Sequence, residues 1–247
     1  MKFTTSWDDG VLLDRKLADI LNRRGMTGTF YVCPTQKKKE RRLLSEGDIR
    51  ALATEHEIGA HSKTHPHLSQ ISTFTARREI EGSKTWVEDI TRKPCTMFCY
   101  PYGDWNEEVK KIVKEAGFTG ARTVEELQFC HRDPFLLPTS LQILPFPRRR
   151  GFEKIWHWAD PLGPLRSRYR RLRKLHVPLR SCTSWLKLAT YLFHHALTTK
   201  QPFFHLWGHS WEIEKYDMWD DLEWFLKMVG EAGEKVKHVT NSALLKK

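Results

Sequence analysis

Segments that favour strands alternate with segments that favour helices along almost the whole 247-residue chain. The predicted strands are short apolar runs bounded by turn residues, at residues 3–7, 29–33, 58–61, 97–100, 118–124, 137–144 and 202–207. The predicted helices lie between them, at residues 12–24, 45–54, 73–90, 106–116, 184–197 and 218–229. This alternation predicts an α/β fold whose parallel strands are connected by helices.

Two adjacent carboxylates, Asp8 and Asp9, end the first predicted strand, and His61 and His65 follow the third. Because the C-terminal ends of parallel strands meet at one face of a barrel, these side chains are expected to converge. Two imidazoles and one carboxylate suit Zn²⁺ with a coordination position open for water, and the second carboxylate would be free to act as a base. Each motif alone carries little weight, since a chain with 12 histidines contains another pair at this spacing.

The order of these motifs gives them specificity. They are followed by an aromatic-proline motif and by a late strand that bears histidines, in the sequence Ser6-Trp7-Asp8-Asp9-Gly10, His61-Ser62-x-x-His65, Tyr100-Pro101-Tyr102-Gly103 and Phe204-His205-Leu206-Trp207-Gly208-His209. In order and spacing this chain resembles the polysaccharide deacetylase family, carbohydrate esterase family 4, from the first strand to about Glu212. The resemblance implies an irregular (β/α) barrel of seven strands, and the length and composition of the chain allow a single domain over residues 1–247.

The resemblance also implies roles for the motif residues. Asp9, His61 and His65 would hold one divalent metal ion, for which Zn²⁺ is the first choice given two nitrogen ligands. Asp8 would take the proton from the water that attacks the acyl carbon. Pro101 and Tyr102 would wall the acetyl pocket, and a backbone N–H near Tyr102 would help the metal to stabilise the oxyanion.

Two histidines of the late strand compete for the role of general acid. The family's late leucine-x-histidine pattern assigns the role to His209, and His205 would then lie behind it as a buried supporting group. Glu212 follows closely and could orient either imidazole, which would raise the pKa of that imidazole. Trp207, between the two histidines, is a candidate substrate contact.

The chain departs from the family pattern in two places. The family often has an arginine two residues before the motif proline, where it pairs with the base aspartate, and here that residue is Cys99. Arg122, at the end of the fifth predicted strand, is our candidate both for orienting Asp8 and for a substrate contact, and a structural salt bridge elsewhere is the alternative. The family's motif of an acid and a tryptophan before the last strand is not evident, and Asp133 and Asp160 are its possible replacements.

Most of the chain's positive charge lies in one segment. The net charge is +11, and the segment from Arg148 to Lys174 contributes +8 of it, within a basic insertion at about residues 146–180. Leu165, Tyr169 and Leu172 recur there at helical spacing between arginines. This pattern fits a basic helix that contacts an anionic membrane surface or a phosphorylated substrate, or a helix whose apolar stripe packs on the barrel, which we favour. No nucleic-acid recognition motif accompanies the charge, so nucleic acid is not an expected partner.

The remaining composition bears on location and overall function. There is no apolar run near 18 residues, no visible signal peptide and no CxxC spacing among the five cysteines, which favours a cytoplasmic protein, with peripheral membrane attachment as an alternative. We expect a divalent-metal-dependent hydrolase that removes an N-acetyl group from an amino sugar or its conjugate. The alternatives are hydrolysis of another carbon–nitrogen amide bond, or a non-catalytic relative that binds carbohydrate or a membrane surface.

Overall fold

The first strand of the chain lies in the middle of a parallel sheet that carries the candidate site. The computed structural model describes residues 1–35, 42–149 and 159–246. Its strands are β1 (Lys2–Asp9), β2 (Thr29–Val32), β3 (Glu57–Ala60), β4 (Met97–Cys99), β5 (Gly120–Arg122), β6 (Leu141–Gln142), β7 (Phe203–Gly208) and β8 (Lys237–His238). Their order in the sheet is β5-β4-β3-β2-β1-β7-β6, and β8 pairs with the beginning of β1. All these pairings are parallel.

Helices connect the strands, as the alternation predicts. They are α1 (Asp14–Asn22), α2 (Glu46–Glu55), α3 (Thr73–Thr91), α4 (Glu107–Glu115), α5 (Gly163–Lys174), α6 (Trp185–Thr198), α7 (Ser210–Lys215), α8 (Trp219–Glu231) and α9 (Asn241–Leu245). Short 3₁₀ turns lie at Leu68–Gln70, Pro101–Gly103, Pro134–Leu136, Leu179–Cys182 and Gly233–Lys235. The prediction of an irregular α/β barrel built on seven parallel strands is confirmed.

Local capping explains where several helices begin. Ser45 and Asp48 form a capping box at the start of α2, and the side chain of Asn106 accepts from the Val109 N–H at the start of α4. These side chains satisfy backbone N–H groups that have no partner within the helix. The predicted beginnings of these two helices are therefore correct to within a residue.

The predicted strand at residues 137–144 is mostly wrong, because this segment crosses between two strands. The Leu137 N–H donates to Ala121 O beside β5, whereas the Ser140 N–H donates to His205 O in β7. A segment that changes partner over three residues cannot form one long ladder, and only Leu141–Gln142 pairs regularly. The crossing brings the two edges of the sheet together and curls it towards a barrel.

Side chains of β1 alternate between an apolar outer layer and a polar interior. Phe3 faces the helices and meets Phe193 of α6 and Phe225 of α8 at ring-centroid distances of 6.3 and 6.4 Å. Ser6 and Asp8 face inward, as expected from the two-residue period of a strand. The interior is therefore lined with polar groups that lead up to the C-terminal end of the sheet.

The basic helix packs only part of its predicted stripe. Within α5, Leu172 is buried and Leu165 is partly buried against the core, whereas Tyr169 is about half exposed. Packing of the stripe on the barrel thus accounts for two of these three positions. The segment's residues 150–158 lie outside the described part of the chain. Among the helices that the structure describes, none has the length and apolar character needed to cross a bilayer.

Candidate active site

The turn after β1 presents two buried carboxylates at the C-terminal end of the sheet. Asp9 and Gly10 have positive φ values of 86° and 65°, so the chain turns immediately after Asp8. A Cβ at Gly10 would lie 3.1 Å from the Val32 side chain, which leaves little room for another residue there. The tight turn and the nearby Val32 side chain therefore explain why the motif has glycine at position 10.

Asp9, His61 and His65 come together as the sequence predicts. Their candidate ligand atoms lie within 4.8 Å of one another, with 3.1 Å between the two imidazole Nε2 atoms and 3.7 Å between His65 Nε2 and Asp9 Oδ1. His61 Nδ1 donates to the Cys99 carbonyl at 2.8 Å, which leaves Nε2 of a neutral imidazole free to bind a metal. The three donors fit one divalent ion with an open position.

The loop that carries His65 is fixed by a helix. Glu79 of α3 accepts the backbone N–H groups of Lys63 and Thr64 at 2.9 and 2.8 Å. Ser62 and His65 adopt positive φ, and Ser62 Oγ accepts the His65 N–H at 3.0 Å. These contacts bend the loop back so that both imidazoles reach one point.

The charges of the group suit a cation. Burial raises the pKa of Asp9, but the nearby imidazoles of His209 and His61 outweigh it and hold the pKa at about 2. Burial and the neighbouring His61 lower the pKa of His65 to about 4, so its imidazole is neutral at physiological pH. A second group, Asp8, His61 and Cys99, is equally compact, but burial keeps the pKa of the Cys99 thiol well above its usual value. The Asp9 group is therefore the better metal site.

Asp8 pairs with Arg122 in the barrel interior. The two side chains form a buried ion pair, and Cys99 Sγ lies 3.7 Å from the other carboxylate oxygen of Asp8. Burial raises the pKa of Asp8, but Arg122 and then His61 outweigh it, so the pKa lies below its usual value. Cys99 and Arg122 are direct partners in the register of β4 and β5. The guanidinium thus comes from one strand further along the sheet, at the same level as Cys99.

His209 lies at the end of β7 and is paired with an acid. Its Nδ1 donates to Glu212 Oε2 at 2.6 Å. Burial lowers the pKa of His209, but the carboxylate of Glu212 outweighs burial and raises the pKa to about 9. The imidazole is therefore protonated at neutral pH, which is the state that a general acid requires.

His205 lies deeper in the barrel, and both of its ring nitrogens form hydrogen bonds. Its Nε2 accepts from Ser6 Oγ at 2.8 Å and its Nδ1 donates to the Pro138 carbonyl at 3.1 Å. Burial and the nearby Arg122 lower its pKa to about 3. Glu212 therefore contacts His209 and not His205, and His205 supports the interior of the barrel.

The predicted substrate contacts differ in position. Tyr102 is 57% exposed, and its ring contacts His65 at a centroid distance of 4.5 Å, whereas Pro101 beside it is buried. Arg122 is fully buried, and its guanidinium carbon lies 4.6 Å from the ring centroid of the buried Trp207. Tyr102 thus lies at the mouth of the site, whereas Arg122 reaches Asp8 from below and does not reach the surface that a substrate would first contact.

Neither proposed replacement for the missing family motif is at the site. Asp133 accepts the Phe135 N–H at 2.9 Å and pairs with Lys110, and Asp160 pairs with Arg166. These carboxylates serve turns and surface ion pairs instead.

Sequence reasoning missed two side chains that join the turns after β1 and β7. Trp211 Nε1 donates to Asp9 Oδ2 at 2.9 Å, and Ser210 Oγ donates to Asp14 Oδ1 at 2.5 Å. Burial raises the pKa of Asp14 to about 8. The only sequence signal for these contacts was their position directly after His209.

Comparisons with known proteins agree with the motifs. The sequence model of the family described as polysaccharide deacetylase matches residues 2–121. The peptidoglycan-N-acetylmuramic acid deacetylase PdaC of Bacillus subtilis is 28% identical over 111 residues, which cover 44% of this chain and 23% of PdaC. The chain thus matches less than a quarter of the length of this curated relative.

Solved structures share the fold across the whole chain. A CE4 family pseudoenzyme from Bacillus anthracis superposes with a TM-score of 0.57 at 15% identity, over 99% of this chain and 65% of its own. The Bc1960 peptidoglycan N-acetylglucosamine deacetylase superposes with a TM-score of 0.58 at 15% identity, over 98% of this chain and 87% of its own. Together with the match over residues 2–121, this shared fold confirms the resemblance to the polysaccharide deacetylase family.

Proposed function

We propose that this protein is a metal-dependent hydrolase that removes an N-acetyl group from an amino sugar of a polysaccharide or peptidoglycan. One observation carries the proposal. An ionised carboxylate, Asp8, and a protonated imidazole, His209, both neighbour the Asp9, His61 and His65 group. Their pKa values are shifted in opposite directions, which is the arrangement expected of a general base and a general acid. The match of residues 2–121 to the polysaccharide deacetylase family, and the similarity to a peptidoglycan deacetylase, support deacetylation of polysaccharide or peptidoglycan.

The chemistry divides between metal and side chains. A divalent ion held by Asp9, His61 and His65 would supply a Lewis acid for the acyl carbonyl and for the attacking water. Asp8, held ionised by Arg122, accepts the proton that the water loses as it attacks the carbonyl carbon. His209, held protonated by Glu212, donates a proton to the amine nitrogen as the carbon–nitrogen bond breaks. The products are acetate and the free amino sugar.

The preference for a saccharide substrate rests on the aromatic side chains at the opening of the site. Tyr102 is exposed beside the metal ligand His65 and stacks on the ring of His67 at 4.1 Å. An open aromatic surface of this kind suits the apolar face of a sugar ring. We therefore prefer a saccharide to the small cyclic amides that would define the alternative hydrolase.

The test is mass spectrometry of N-acylated sugars incubated with the metal-loaded protein. The panel contains oligomers of N-acetylglucosamine, peptidoglycan fragments and a cyclic amide. We expect loss of one acetyl mass from a saccharide, and no loss when Asp8 is replaced by Asn. Hydrolysis of the cyclic amide alone would favour the other carbon–nitrogen activity.

A non-catalytic role is the second candidate. The observation that favours it is Cys99 at the position of the family arginine, together with a structural relative described as a pseudoenzyme. A mutant of that Bacillus anthracis pseudoenzyme is described as having restored enzymatic activity. If the protein binds the oligosaccharides but releases no acetate with any of Zn²⁺, Co²⁺ or Mn²⁺, this candidate is preferred.

An anionic partner for the basic helix and a cytoplasmic location remain further proposals. Support for the partner is limited to the exposed side chains Arg166, Arg170 and Arg173 beside the half-exposed Tyr169. Sedimentation with anionic liposomes at rising salt tests it, since contacts made by exposed charges weaken with screening. The location rests on cysteines without CxxC spacing, and cell fractionation tests it.

A further inference from the structure

A glutamine amide lies directly behind the proposed acid. Gln142 Nε2 donates to Glu212 Oε2 at 3.3 Å, and this same oxygen accepts the bond from His209 Nδ1. The main chain of Gln142 is held on both sides, because its N–H donates to Glu126 Oε1 and its carbonyl accepts from Trp185 Nε1, each at 2.8 Å. The amide therefore reaches Glu212 from a fixed backbone.

The basic helix α5 holds the carboxylate that fixes Gln142. Arg168 Nε donates to Glu126 Oε2 at 2.6 Å, and Arg171 Nη1 donates to the Glu126 carbonyl at 3.0 Å. The side chains of Arg168 and Glu126 are only 16% and 13% exposed, so water screens this ion pair less than a surface pair. Both carboxylate oxygens of Glu126 are thereby used, one by the helix and one by Gln142.

We infer that Gln142 is a positioning residue for the proposed general acid, and that Arg168 of the basic helix fixes Gln142 through Glu126. The inference rests on the proposed role of His209. Glu212 lies on the short helix α7 and its side chain has several rotamers. A second donor on its bonded oxygen favours the rotamer that faces the imidazole. Part of the positive charge of α5 then serves the catalytic site rather than an external partner.

Replacing Gln142 by Ala tests the first link. We expect kcat to fall roughly tenfold, the lower end of the range known for side chains that orient metal ligands through a hydrogen bond, with KM unchanged. Gln142→Ala should have no further effect in a Glu212→Ala background, since the amide acts only through that carboxylate. Gln128→Ala is the matched control and should leave kcat unchanged. If Gln142→Ala lowers kcat by the same factor in the wild type and in the Glu212→Ala background, the inference is overturned.

Replacing Arg168 by Ala tests the second link. We expect a smaller loss of kcat that disappears when Gln142 is already Ala. Lys174→Ala, which removes an exposed cation at the end of the same helix, is the control and should leave kcat on a neutral chitin oligomer unchanged. Equal losses in the Arg168 and Lys174 variants would show that helix charge, and not the Glu126 contact, is responsible, and would remove this link.

Crystal structures separate failure of this inference from failure of the proposed function. If wild-type protein releases no acetate, the proposed function fails, but the arrangement of Glu212 can still be observed. We expect the Glu212 side chain to leave His209 Nδ1 in the Gln142→Ala structure and to remain in the Gln128→Ala structure. Glu212 unchanged at 2.6 Å in both variants would contradict the inference whatever the activity.

Discussion

The proposed metal-binding side of the candidate site and its proposed proton-transfer side are encoded differently. Asp9, His61 and His65 come from two short motifs within residues 2–121, the part of the chain that the family model matches. The partners of the proposed general base and the proposed general acid, Arg122 and Glu212, lie beyond that part and come from separate elements. A metal site needs a fixed set of donor atoms. A charge that adjusts a pKa needs only to be close, so different strands can supply it.

The Cys99 and Arg122 pair shows this difference at one position. The register of β4 and β5 places the two residues side by side, so a guanidinium on either strand is at the level of Asp8. In this chain the positive charge beside Asp8 comes from β5, whereas the family pattern would place it at the position of Cys99 on β4.

The largest effect should follow from removing the metal donors. Replacing both His61 and His65 by Ala leaves one carboxylate of the group, too few ligands for a stable site. We expect loss of most bound metal and of all measurable activity, checked by elemental analysis and acetate release. His67→Ala, a neighbouring histidine outside the group, is the control for metal content. Full metal occupancy in the double variant would break the assignment of the metal-binding side.

Asp8 and Asp9 should separate the two sides most clearly. Asp8→Asn removes the base but none of the three metal donors, so we expect metal to be retained and kcat to fall on the order of 10²–10⁴. Asp9→Asn should instead lower metal affinity. Metal titration followed by steady-state kinetics distinguishes the two variants. The opposite pattern would exchange the roles of the carboxylates.

Replacing Arg122 by Met should affect both rate and stability. Without the guanidinium, burial raises the pKa of Asp8, so the acid limb of the kcat/KM profile should move to higher pH. Leaving a buried carboxylate unpaired should also cost about 3–5 kcal/mol of unfolding free energy near neutral pH. Arg122→Lys keeps the charge and should show smaller changes. An unchanged acid limb in Arg122→Met would show that another group sets the pKa of Asp8.

A smaller effect is expected from Glu212. In the wild type, kcat/KM should decline as pH rises through the pKa of His209, at about 9, because the acid loses its proton. Glu212→Gln removes the largest charge that raises this pKa, while burial still lowers it and only Asp9 and Asp8 still raise it, so the alkaline limb should move to lower pH. Activity near pH 6 should change least. A pH–rate profile checks this, and an alkaline limb that stays in place would assign the acid to another group.

The sequence predicted those parts of the molecule whose determinants are local. The helix starts at Ser45 and Asn106 follow from side chains that cap the next backbone groups. The segment at residues 137–144 was mistaken for a strand, because only the folded sheet reveals that it changes partner between β5 and β7. The two-residue β8 and the five-residue α9 at the C-terminus were missed, since such short elements have little periodicity.

Site residues divide in the same way. The candidate metal-binding group could be predicted from the order of the motifs. The pairing of Asp8 with Arg122 was anticipated because the family arginine is missing at Cys99, so another positive charge was needed beside Asp8. Trp211 and Gln142 were not anticipated. Their contacts with Asp9 and Glu212 join residues 202 and 70 positions apart, and no spacing rule connects such positions.

The central claim is that metal binding and proton donation reside on different sides of one site, and His209→Ala tests it most directly. Metal content and acetate release are measured on the same preparation, with a chitin oligomer as substrate. We predict that the variant binds as much metal as the wild type and releases acetate at least 10²-fold more slowly, the usual scale for removal of a general acid. Loss of the metal, or acetate release at the wild-type rate, would contradict the account.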